Sequence, residues 1–262
     1  MSFTGKTKAS TYKDILQMNN SNSGVDTTTR NVVDGEGTAS SISISDDVLT
    51  VKPQNDDTTA VFNVQDSDSN NLLVVDSTND LVKAGLTQTA VNTQIQHFGC
   101  TSLMGIPSST GRFWALNSGG QGRTQANIDF GTGSSPATSL TLASTADDLV
   151  SSIFYVPANI TIDSCSVWVG ADAASGDVIN FSIMSYDIDT SNSATGGDLS
   201  NGVENCVSPS TITNAGYDQA YFQTLTVSTA DVDAGKVIMA MIKSDGTNSD
   251  YAVNINLVYH IR

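Results

Sequence analysis

Two acidic stretches carry the residue spacing closest to ligand chemistry. Asp187-Ile188-Asp189-Thr190-Ser191 and Asp66-Ser67-Asp68-Ser69-Asn70 set oxygen-bearing side chains at alternate positions, as the opening of a calcium loop does. In the first, Asp198 stands where a closing carboxylate is needed. Against a metal, Asn192 takes the place of the turn glycine, Asp replaces the bidentate Glu, and no flanking helices are predicted. Asp and Asn produce the same pattern in ordinary hairpin turns, where their side chains bond the backbone two residues on. No metal and no cofactor is the expectation.

Catalysis has little to draw on. A Ser-His arrangement needs a histidine, and there are two: His97 in an ambiguous connector, and His260 on the polar side of an edge-like terminal strand. No G-x-S-x-G elbow is present. Gly5-Lys6-Thr7 matches only the end of a phosphate-binding loop, with no earlier glycine and no preceding strand. Acidic residues abound, but the carboxylate separation that glycoside hydrolysis requires is a three-dimensional quantity. Trp114 and Trp168 offer flat faces to a sugar, although tryptophan in a strand more often serves a core or an interface. The chain is not expected to be an enzyme.

The elements that would position these residues are strands. Between Val48 and Gly85, short apolar runs (Val48–Val51, Val61–Val64, Leu72–Val75, Leu81–Val82) alternate with Asn/Asp/Ser turns. Units this short cannot bury an apolar face alone, so they require neighbours. Two arrangements fit: a shaft shared by several copies, or an antiparallel meander within one domain. Residues 1–47 read as an arm, with the cluster Tyr12, Ile15 and Leu16 as a docking peptide among loop residues; an unstructured tail is the plain alternative. Ile42 and Ile44 alternate with serines as a first strand. Residues 86–98 suit either a short helix or a last shaft strand.

From residue 99 onward the pattern predicts about eight strands and no helix. Val150–Val156 is a strand ending in Pro157, and a change of phase near Ser164 signals a bulge. Ile179, Phe181 and Ile183 share a face. Val237–Ile242 is apolar on both faces and therefore central. Tyr251, Val253, Ile255, Leu257, Tyr259 and Ile261 form one face of the final strand. The expected fold is all-β: an extended N-terminal arm (1–47), a β-repeat shaft and connector (48–98) and a jelly-roll-like sandwich head (99–262). The Gly/Ser-rich loop Asp187–Asn205 should project from one end of the sandwich, with Asp187, Asp189, Asp198 and Asn201 available to a host surface.

Composition narrows the partners. The 262 residues hold 11 basic and 27 acidic side chains, a formal charge of −16, which argues against nucleic acid. Lys6, Lys8 and Lys13 crowd the N-terminus, while no Lys or Arg lies between Arg123 and Lys236. Cys100, Cys165 and Cys206 are odd in number and far apart, so they are expected as core residues of a chain folded in a reducing compartment. No export signal and no apolar run of membrane-spanning length is seen, so neither secretion nor membrane insertion is expected.

The segment Tyr12-Lys13-Asp14-Ile15-Leu16-Gln17-Met18-Asn19-Asn20-Ser21-Asn22-Ser23-Gly24-Val25-Asp26, continuing through Arg30 and Asp34-Gly35-Glu36-Gly37-Thr38-Ala39-Ser40, resembles the start of bacteriophage tail-fibre and neck- or head-fibre proteins. Phe62-Asn63-Val64-Gln65-Asp66 and Leu72-Leu73-Val74-Val75-Asp76 are similar to their shaft entry. The resemblance covers roughly the first third of the chain and is one of sequence style. It implies a homotrimeric virion appendage assembled in the host cytoplasm. Its arm would dock on a portal, adaptor, tail or capsid protein, and its head could meet a host-surface glycan or protein. A head fibre or capsid decoration protein without a receptor, and a secreted carbohydrate-binding adhesin module, are the alternatives.

Overall fold

The computed structural model describes residues 13, 15–21, 23–100, 111–119, 128–142, 146–172, 175–244 and 250–262. Residues 1–91 and 92–262 form two compact units. The division therefore falls between Val91 and Asn92, and not between residues 98 and 99.

The first unit is two four-stranded antiparallel meanders. β1 (Gln17–Met18), β2 (Arg30–Val33), β3 (Ala39–Ile44) and β4 (Leu49–Val51) form one, and β5 (Phe62–Gln65), β6 (Asn71–Asp76), β7 (Leu81–Ala84) and β8 (Thr89–Ala90) the other. The pairing of Ile42 with Val51 carries the first sheet across residue 47, so part of the expected arm is sheet. Aspartate builds the turns. Asp34 Oδ1 accepts the Glu36 and Thr38 amides (2.8 and 2.9 Å), Asp66 Oδ1 those of Asp68 and Asn70 (both 2.9 Å), and Asp76 Oδ1 those of Thr78 and Asn79 (3.1 and 3.0 Å). Much of this unit's acidity is thus turn chemistry. Its interior is small: among the described residues, the buried hydrophobic side chains are Val33 and Val74. Ile42, Leu49, Phe62, Val64, Leu72 and Val82 remain exposed.

The second unit is a β-sandwich with β9 (Thr93–Cys100), β10 (Arg112–Ala115), β11 (Asn117–Ser118), β12 (Phe154–Tyr155), β13 (Ile160–Asp172), β14 (Val178–Ile188), β15 (Leu199–Val207), β16 (Ile212–Thr213), β17 (Gln219–Val227), β18 (Asp231–Val232), β19 (Lys236–Ser244) and β20 (Asp250–Ile261). The strands pair in one continuous order, β10-β19-β14-β15-β17-β13-β20-β9-β11, which folds into two layers, β10-β19-β14-β15 and β17-β13-β20-β9-β11, called the two sheets below. The pairs Cys206–Val227 and Val207–Thr226 join them along one edge. The chain steps repeatedly from one sheet to the other, so strands far apart in sequence become neighbours.

The main core lies between the sheets and includes Phe98, Val167, Val169, Phe181, Ile183, Ile238, Ile242, Ile255 and Leu257. A second core lies on the opposite side of the β10-β19-β14-β15 sheet. There Met184, Tyr186, Val237, Met239 and Met241 meet Ile128, Phe130 and Leu149. β19 is buried on both faces for this reason, as its uninterrupted apolar run predicts. The bulge at Ser164 is present as a register shift between Ile162 and Ser164 against β20.

Several expectations are corrected. The strand expected over Val150–Val156 is a short helix, α1 (Ala146–Ser152), followed by β12. Asp147 and Asp148 suit its electropositive first turn. Its Leu149 faces the second core while Val150 faces outward. Residues 93–98 are neither helix nor last shaft strand: β9 pairs with β20 from Thr93–His260 to Cys100–Val253. β20 accordingly lies between β13 and β9 and is not an edge strand. All three cysteines are free and buried. The neighbouring Cys206 thiol, from the other sheet, and then burial push the Cys165 thiol far up.

Candidate functional site

The loop expected over Asp187–Asn205 is shorter. β14 continues to Ile188 and β15 begins at Leu199, which leaves residues 189–198 as the connection and places Asn201 and Asn205 within a strand. The four residues singled out there do lie together, but their polar atoms point into the loop's own scaffold. Asp187 Oδ1 pairs with Lys236 Nζ, and its Oδ2 accepts from Asn201 Nδ2 at 2.7 Å. Asn201 reaches this position with a left-handed backbone (φ 51°), which asparagine tolerates. Asp189 accepts from Thr195 Oγ1 at 2.5 Å and from the Ser191 amide at 2.8 Å. Asp198 Oδ1 accepts the Leu142 amide at 2.8 Å, tying the loop to the covering segment that bridges from Leu140 to Leu199.

These bonds account for the electrostatics. The Lys236 ammonium, then the Asn201 amide, hold the Asp187 carboxyl below its ordinary range; Thr195 and Ser191 do the same for Asp189. Each of the three carboxylates is thus engaged by a different set of partners. Asp66, at the other calcium-like stretch, has both oxygens in its own turn: Oδ1 on two amides and Oδ2 on Asn70 Nδ2 at 3.0 Å. Among the described residues no group of three or more His, Cys, Asp or Glu is placed to hold a metal ion. Millimolar calcium is therefore expected to move the melting temperature by less than about 1 °C in differential scanning fluorimetry; a calcium-dependent rise of several degrees, reversed by chelator, would restore the metal reading.

The histidines separate. His97 is exposed on β9. His260 is largely buried, with Nδ1 2.8 Å from Asp163 Oδ1. The nearby Thr161 hydroxyl donates to Asp231 Oδ1 at 2.7 Å and so is not aligned as a nucleophile on this imidazole. Gly5-Lys6-Thr7 and Tyr12 lie outside the described residues. Of the remaining docking-peptide residues, Ile15 is half-buried and Leu16 is exposed immediately before β1, whose Gln17 and Met18 pair with Val33 and Val32. The peptide thus leads directly into sheet.

The two tryptophans take opposite roles. Trp114 is buried in the main core, whereas Trp168 is 53% exposed on the outer side of β13. It stands directly across from Phe222 on β17, itself 54% exposed, with ring centroids 5.1 Å apart. Phe222 was not among the residues picked out by sequence reasoning. The signal was present in the alternation: Cys165, Val167 and Val169 point inward, so Trp168 must point outward, and Leu225 pointing inward puts Phe222 on the same outer side.

No protein-family model matches the chain, and a search of curated proteins finds no relative.

Proposed function

We propose that the chain is a structural fibre subunit of a bacteriophage virion. It docks through its N-terminal segment to a portal, adaptor, tail or capsid protein, associates as a homotrimer, and presents the sandwich outward, where a host-surface glycan or protein would be met. The observation that carries this reading is the first unit. It has eight paired strands but almost no interior of its own, and among the described residues seven large apolar side chains from Ile42 to Val82 stay exposed. Small sheets of this kind gain stability when other copies cover their faces, and closed rotational symmetry covers every copy equally. The likeness of residues 12–40 and 62–76 to fibre docking and shaft-entry segments supports the same conclusion. We read the sandwich as a jelly-roll head; its support is the strand order of the two sheets and the chain's alternation between them.

Light scattering on the purified full chain tests this. The expected mass is three times the 27.4 kDa of one chain. A folded monomer would overturn the proposal. Immunogold labelling of particles with an antibody to the sandwich then locates the appendage.

A further inference from the structure

We infer that the outer face of the β17-β13-β20-β9 sheet is a contact surface between copies of this chain. The inference rests on the self-association proposed above and adds the face through which the sandwich takes part in it. The two sheets of the sandwich are treated differently by the chain. The β10-β19-β14-β15 sheet is covered on its outer side by residues 128–142 and α1, which complete the second core. Among the described residues no such cover lies over the other sheet. Trp168 and Phe222 are exposed at one end of its outer face, and Ile95 (56% exposed) stands beside Val258 at the other.

Charge identifies the occupant. The chain carries a formal charge of −16, so two copies repel unless they meet through a neutral surface. The central stretches of this face, residues 219–227, 164–171, 251–259 and 93–100, contain no Asp, Glu, Lys or Arg; Asp163, Asp172 and Asp250 lie toward the ends of β13 and β20. Between the apolar ends, Asn254 and Asn256 sit beside Trp168 and Ser166 in register. Carboxamides there can bond polar groups of a neighbouring copy, since each donates and accepts. The two apolar spots are four residues apart along β13, on the order of 13 Å, which exceeds a single saccharide ring and suits a broad partner. Four strands wide and about eight residues long, the face measures on the order of 400 Å². A stable interface takes about 800 Å² per partner. The exposed apolar side chains of the first unit supply further area, so the face works as one of two contacts and not alone.

The experiment compares the full chain with Trp168→Glu/Phe222→Glu and with Thr224→Arg, which keeps both rings but sets a cation on β17, in the row between the two apolar ends of the face. Mass is followed by light scattering across a dilution series, and circular dichroism follows the fold. Acrylamide quenching reports Trp168, the exposed one of the two tryptophans. Wild type is expected to be oligomeric with Trp168 shielded. Both variants are expected to associate at least a hundredfold more weakly, while Val203→Glu, at an exposed apolar site on β15, changes nothing. If wild type is oligomeric and the variants assemble as well as it does, the face is wrong and the self-association stands. A monomeric wild type sinks both. A monomer whose Trp168 is quenched until a neutral oligosaccharide is added would assign the face to sugar instead. If the double variant fails to fold, Thr224→Arg decides.

Discussion

Gly99→Ala is expected to destabilise the sandwich by about 3 kcal/mol, the upper end of what overpacking costs. A Cβ at this position would sit 2.1 Å from the Val253 carbonyl oxygen and 3.0 Å from its carbon. Both are backbone atoms of β20, so no side-chain rotation relieves the clash and the two strands must part. The site is sensitive because β9 holds β20 from one side while β13 holds it from the other, and Val253, Ile255 and Leu257 of β20 line the main core. Urea unfolding followed by circular dichroism measures the loss. A change below about 0.5 kcal/mol would mean that β9 is loosely held and that the sandwich does not depend on it.

Asp76→Ala is the counterpart in the first unit, with an expected cost of about 2 to 3 kcal/mol. The Asp76 carboxylate is buried and Lys83 Nζ lies 2.7 Å from Oδ2, which also accepts from Asn79 Nδ2 at 2.8 Å. Its other oxygen holds the turn between β6 and β7. In a unit whose buried apolar side chains are so few, this polar knot is a large share of what keeps the second meander together. Hydrogen exchange should show residues 61–90 losing protection while the sandwich is unaffected.

The same group sets an acid limit. The Lys83 ammonium, with Asn79, lowers the Asp76 carboxyl to about 2 from an ordinary 3.8. Folding therefore favours the ionised form; this stabilisation is complete above pH 3.8 and disappears as pH falls through about 2. The alanine variant should lack that limb of the pH–stability curve. A wild-type meander that loses protection already at pH 4 would show that another carboxylate governs it.

Much of the sandwich was legible in the sequence because alternation along a strand is a local property of the backbone. It assigned the inward residues of β20 from Tyr251 to Leu257, the bulge at Ser164 and the double burial of β19, but at the end of β20 Ile261 is exposed and His260 buried, the reverse of the expectation. It also anticipated that Asp66 and Asp189 would be turn residues, since Asp reaches an amide two residues on without help from distant chain. Where the sequence misled, a short run was compatible with two periods: Val150–Val156 holds too few apolar positions to separate a helical turn from a strand. Whether residues 93–100 belonged to shaft or head turned on a partner more than 150 positions away, β20. No local pattern contains that information.

Composition and spacing alone determined that this is an all-β chain with aspartate-built turns and buried cysteines. Only the tertiary structure decided that Trp114 is core and Trp168 surface, that Asp187 answers Lys236, and that among the described residues one sheet face is covered and the other is not. Each of those depends on which distant strands become neighbours, and that choice is made by packing of the whole sandwich and not by the residues adjacent in sequence.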